Sequence, residues 1–185
     1  MADPNNELHW FNKLTEEESC QKSSDKKRQS KSKGKENMAI GKVNFDKYGR
    51  NARQWVIELT KLLDLETERE RAWILLRVVL HAIRDRLSPT EVFHLSAQFP
   101  MLIRGAFFEG YHYTGEPKKF HVDELKSRIE EVLPEVLAGK EEEVFKAVLI
   151  VLYNHISTGE LDDIYENMPK DIKQLWDENL NIQTV

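Results

Sequence analysis

His81 and Asp85 lie four residues apart, the spacing that puts two side chains on one face of a helix, with Arg77 and Arg84 beside them. A histidine next to a carboxylate is the composition of a general-base pair, of half a metal site or, with the arginines, of an anion cradle. A metal site needs a third ligand. The nearest in sequence are Glu91 and His94, and no ligand-spacing motif joins them, so no metal and no cofactor is expected. The favoured reading of His81 is structural, a largely buried histidine hydrogen-bonded to Asp85 or to main chain. For Arg84, Asp85 and Arg86 it is a salt-bridged helix C-terminus, where cations complement the dipole. Gln98 and Arg104 complete the polar candidates. Phe107, Phe108, Tyr111, His112 and Tyr113 either line a ligand pocket or peptide groove or plug a seam between helices, and the plug is favoured.

Other chemistry is absent from the sequence. Gly139-Lys140-Glu141 lacks the upstream glycine and the hydroxyl residue of a phosphate loop, and there is no nucleophile elbow, zinc helix or calcium loop, so no catalytic residue is assigned. Cys20 is the one cysteine, which excludes an intrachain disulfide framework and fits the cytoplasm. No apolar run is long enough for a membrane span and no export signal is seen.

The elements that carry these residues come as a repeat. Residues 79–107 and 148–176 align without a gap: Val79/Val148, Leu80/Leu149, Ser88/Ser157, Glu91/Glu160, Pro100/Pro169 and Ile103/Ile172 are identical, and Ile83/Leu152, Leu87/Ile156, Val92/Leu161, Leu95/Ile164, Phe99/Met168 and Phe107/Trp176 stay apolar. Helices are expected over about 48–64, 67–87, from Pro89, after Pro100, over 122–133, 144–156 and after Pro169. Ser88-Pro89-Thr90-Glu91 and Ser157-Thr158-Gly159-Glu160 both read as capping boxes. The expected fold is all-α, a helical bundle of two pseudo-symmetric repeats (about 45–108 and 120–177) within a domain of residues 43–178, joined by a glycine- and aromatic-rich linker, Phe108 to Phe120. Where the copies differ, the first is the more polar: His81, Arg84, Asp85, Arg86, His94, Gln98 and Arg104 stand against Ile150, Tyr153, Asn154, His155, Asp163, Asn167 and Lys173.

Residues 1–42 are rich in Ser, Lys, Glu, Asn and Gln and poor in apolar groups, the composition of a disordered tail. Leu8, Trp10, Phe11 and Leu14 are the exception, a short segment able to turn helical on a partner. Ordered composition begins at Met38, so residues 1–37 are expected to be an upstream extension or a start-site artefact. The run Lys22, Lys26, Lys27, Arg28, Lys31, Lys33 and Lys35 is basic, whereas residues 51–185 carry 16 basic and 24 acidic side chains, so nucleic acid is an unfavourable partner for the domain.

The segments Ala72-Trp73, Val79 to Leu87 (VLHAIRDRL), His94 to Gly105 (HLSAQFPMLIRG) and Phe108-Glu109-Gly110, opened by Asn44 to Tyr48 (NFDKY), closely resemble a bacterial family catalogued as domain of unknown function 2267. The resemblance spans about Val43 to Trp176. It implies a helical two-repeat domain and brings no catalytic residues. The expected function is therefore a non-enzymatic cytosolic interaction or regulatory module that binds a protein partner or a second copy. The alternatives are a small enzyme or ligand-binding protein using His81, Arg84, Asp85 and Arg104 in a cleft, and weak nucleic-acid binding through the basic tail.

Overall fold

The computed structural model describes residues 45–65 and 67–180. The chain divides into two units, Met1–Val43 and Asn44–Val185, and every described helix belongs to the second. The expectations for the N-terminal tail lie outside the described residues.

Eight α-helices and no strand make up the described part: α1 (Phe45–Leu62), α2 (Arg69–Arg86), α3 (Pro89–Gln98), α4 (Met101–Phe108), α5 (Val122–Glu130), α6 (Glu141–His155), α7 (Thr158–Glu166) and α8 (Lys170–Leu180), with a short 3-10 turn at Glu135–Leu137. In α1 the buried Ala52, Trp55, Val56 and Leu59 recur at helical spacing and form one inner stripe. Helices α2 and α6 are buried on most sides, since Leu75, Leu76, Val79, Leu80, Ala82 and Ile83 in one, and Val144, Phe145, Val148, Leu149, Val151 and Leu152 in the other, are covered around most of the circumference. Burial at this density, at about 25 cal/mol per Å² of apolar surface, is what holds the bundle.

Helix α3 starts as its sequence dictates. The Ser88 hydroxyl accepts the Glu91 N–H at 3.4 Å, the Ser88 N–H donates to Glu91 Oε2 at 2.7 Å, and Pro89 has no N–H to leave unpaired. The corresponding box at α7 does not close. Ser157 has the extended N-cap backbone, but its side chain caps nothing. Glu160 is half-buried within the field of His94, Asp163 and Glu91, and burial pushes its carboxyl above the usual range. The expected helix over 122–133 also stops early, at Glu130, because Leu133 precedes Pro134 and a residue before proline is driven out of the helical region. Gly139, at φ +77°, then turns the chain into α6.

The element order of the first half, two helices followed by a short helical pair, recurs in the second. All the apolar pairs between 79–107 and 148–176 are buried in both copies. Helix α2 packs on α1, α4, α5 and α6, and α6 packs on α1, α5, α7 and α8. The C-terminal end of each long helix is tied to the first helix of the other half: Asp85 to Arg128 of α5, and Asn154 and His155 to Glu58 of α1.

Candidate functional site

The end of α2 brings together His81, Arg84 and Asp85, and the structure uses His81 and Arg84 chiefly on main chain. Arg84 is buried, 5% exposed, and its guanidinium donates to the carbonyls of Phe107 (2.5 Å) and Glu109 (3.0 Å) and to Asp85 Oδ1. Those carbonyls are the orphan acceptors at the end of α4, so Arg84 is that helix's C-cap, delivered from another helix. Tyr111 lies over the guanidinium at 5.1 Å. Asp85 also takes Lys118 Nζ at 2.7 Å and Arg128 at 3.3 Å, while its carbonyl accepts the Lys118 N–H at 2.7 Å. Burial pushes the Asp85 carboxyl up, but its bonds from Lys118 and Arg84 outweigh that and hold it below the usual carboxylate range.

His81 is half-buried one turn earlier and bonds the Ala106 carbonyl through Nε2 at 2.7 Å. Burial is the main cause that lowers its pKa, with Arg84 and Arg77 acting in the same direction, so the ring is neutral and Nε2 carries the proton it donates. His81, Arg84 and Arg77, which reaches the Glu109 carboxylate at 2.5 Å, thus fasten α4 to α2. Arg104 does the same for α3, donating to the carbonyls of Ser96 (2.7 Å), Ala97 (3.0 Å) and Phe99 (3.2 Å). Phe107 is core, edge-on to Phe99, while Phe108 and Tyr111 are half-buried beside it. Tyr113 is exposed, its hydroxyl on the Gly115 carbonyl. His94 and Gln98 are exposed on α3, apart from the Arg84 cluster. These candidates therefore divide among two main-chain caps, an aromatic seam and an open helix face; they do not converge on one cleft.

A cleft does open at the other end of the molecule's cross-ties. Asn51, Gln54, Trp55, Gln98, Phe99, Pro100 and His155 line a cavity of about 410 Å³. Asn51, Gln54, Trp55 and Glu58 stand at i, i+3, i+4 and i+7 along α1, and so share one face of it. Glu58 accepts from Asn154 Nδ2 on one oxygen and bonds His155 Nε2 at 2.8 Å on the other, and the His155 ring stacks on Trp55 at 4.8 Å. The imidazole is thereby fixed on two sides. Its sequence signal is weak: Asn51 and Gln54 are ordinary exposed helix residues, and only the register match of Asn154-His155 with Asp85-Arg86 marks the place.

The helical pairs α3–α4 and α7–α8 share their inner residues but not their outer ones. On the outside of the first are Phe93 (62% exposed), Ala97, Met101 (57% exposed), Gly105 and the half-buried Phe108, with Phe93 against Phe108 at 5.8 Å. The same register in the second carries Asp162, Glu166, Lys170, Gln174 and Asp177, all exposed. A Cβ on Gly105 meets nothing within 4 Å, so this face is open there.

Among the described residues no three His, Cys, Asp or Glu side chains group as a metal site, and no described helix is long and apolar enough to cross a membrane. No curated protein matches the chain. A family model does, over residues 52–175, from the first buried turn of α1 to the inner stripe of α8. Both cross-ties and all of the cleft's lining but Asn51 fall within that match, and the chain belongs to the family described as uncharacterized conserved protein (DUF2267).

Proposed function

We propose that the domain is a non-enzymatic, cytosolic interaction module that pairs with a second copy of itself through the outer face of α3–α4. The observation that carries this is the contrast at matched positions: Phe93, Ala97, Met101, Gly105 and Phe108 where the other helical pair has Asp162, Glu166, Lys170, Gln174 and Asp177. A fold needing no apolar exterior at these positions has one in a single half, and contiguous exposed apolar surface marks interaction sites. Charge favours a second copy there. The domain is acidic overall, so two copies repel over most of their surfaces, whereas α3–α4 carries one acid, Glu91, and one base, Arg104, both engaged within the fold. The face also holds large side chains next to small ones, so Phe93 of one copy can sit over Ala97 and Gly105 of another in a self-complementary two-fold contact. Ten residues of α3 span about 15 Å and two helices side by side about 20 Å, so the contact is at or below the low end of specific interfaces and the dimer exchanges readily.

Amide spectra recorded over a dilution series test it. The proposal expects concentration-dependent shifts at Phe93, Ala97, Met101 and Gly105, with Asp162, Glu166, Lys170 and Gln174 unmoved. Spectra that do not change with concentration, or that change elsewhere, overturn it.

A further inference from the structure

We infer that the cleft between α1, the α3–α4 junction and the end of α6 is a binding site for an extended peptide segment, held chiefly by its main-chain amides and favouring neutral or basic over acidic sequences. The occupant does not depend on the α3–α4 outer face.

The lining sets the ligand class. Asn51, Gln54 and Gln98 bring three carboxamides to one cavity, and a carboxamide offers a donor and an acceptor side by side, as a peptide unit does. No lysine or arginine lines the cavity, so anionic ligands find no counter-charge; the acid in reach is Glu58, behind His155. Trp55 is 3% exposed, with one face on His155, so there is no aromatic platform for a sugar or a base to stack on. His155 Nε2 is taken up by Glu58, so Nδ1 is the ring nitrogen left to meet a peptide unit. Phe99 and Pro100 supply an apolar wall.

The molecule holds such a segment elsewhere. At the end of α2, in register with the end of α6, the linker residues Lys118 to Phe120 cross in non-helical conformation: the Lys118 N–H donates to the Asp85 carbonyl at 2.7 Å, the Lys118 carbonyl accepts from Arg86 at 2.8 Å, and Phe120 lies under Arg86 and Arg128. Asp85 and Arg86 match Asn154 and His155. Among the described residues the Asn154 carbonyl receives no equivalent bond from a crossing segment. The amide-bordered cavity lies beside His155, the residue in register with the Arg86 that holds the Lys118 carbonyl.

The test titrates the full chain with acetyl-Lys-Lys-Phe-amide, acetyl-Ala-Ala-Phe-amide and acetyl-Glu-Glu-Phe-amide, following the Trp55 indole and the Gln54 and Gln98 side-chain amide signals. Saturable shifts are expected with the first two peptides and at least tenfold weaker binding with the acidic one. Gln54→Ala with Gln98→Ala, both at exposed positions, is expected to weaken binding at least tenfold with an unchanged melting temperature, while Phe93→Asp leaves it unaltered. Absence of saturable shifts, equal binding of the acidic peptide, or undiminished binding to the double variant each overturns the inference.

Discussion

The helical pairs α3–α4 and α7–α8 bury matching inner stripes, yet they are fastened in opposite ways. The first is pinned from within, by Arg84 on the carbonyls of Phe107 and Glu109 and by Arg104 on those of Ser96, Ala97 and Phe99. The second is pinned from outside. Tyr153, which stands where Arg84 does, accepts a bond from Trp176 Nε1 at 3.4 Å, and surface pairs join the two helices, Lys173 with Glu166 and Tyr165 with Asp177, while Gln174 pairs with Glu178 within α8 and Asp171 accepts the Val122 N–H at 2.8 Å. Two of those surface pairs use positions that in the first pair are Ala97 and Phe108. Fastening α3–α4 through main-chain carbonyls therefore releases its outer side chains from structural duty, which allows the exposed surface to be apolar.

The sharpest way to break this contrast is to remove the inner pin. Arg84→Ala leaves Asp85 and two helix-end carbonyls without their buried partner, and breaking a buried charged pair costs about 3–5 kcal/mol, a large part of the roughly 5–15 kcal/mol that a domain has; urea titration should show it. Arg104→Ala, which loses three bonds at a more exposed place, should cost about 1–2 kcal/mol in the same assay. The outer pin should matter far less. Lys173→Ala removes an exposed pair worth about 0–1 kcal/mol, and a loss as large as that of Arg104→Ala would show that the two pairs are fastened alike.

Acid titration sharpens the contrast through groups that only the first half has. His81 has a folded pKa below its unfolded one, so the unfolded chain binds the extra proton, and stability falls as pH drops from neutrality through about 6.5 toward the folded value. Asp85 acts in the same direction in a separate window at lower pH: its depressed carboxyl contributes stability above the usual aspartate range that is lost as pH falls through the folded value. His81→Gln retains a donor for the Ala106 carbonyl and should flatten the upper window while leaving the lower one. A profile identical to the parent's between pH 7 and 5 would mean that His81 is not held neutral.

Much of this fold is legible in the sequence, because burial follows periodicity: Val92, Leu95, Phe99, Ile103 and Phe107 repeat the spacing of Leu161, Ile164, Met168, Ile172 and Trp176, and all ten are buried. The box at Ser88 is equally local. The box at Ser157 reads the same and stays open, with Glu160 half-buried in the field of His94, Asp163 and Glu91. Arg84 reads as a cation at its own helix end, whereas its acceptors are 23 and 25 residues away, a pairing set by packing alone. The cleft needs walls from α1, the α3–α4 junction and α6, and exposed amides at Asn51, Gln54 and Gln98 carry no periodic mark. The outer face is visible in register, as Phe93 against Asp162, but a phenylalanine on a helix reads first as core.

Sedimentation velocity over about 1–500 µM, comparing the parent chain with Phe93→Asp plus Met101→Asp and with Asp162→Asn plus Glu166→Gln, tests the central claim most directly. The account predicts a parent that moves toward a dimer with concentration, a monomeric first variant that melts as the parent does, and a second variant that associates at least as well as the parent. A parent that remains monomeric throughout, or a first variant that associates unchanged, would contradict it.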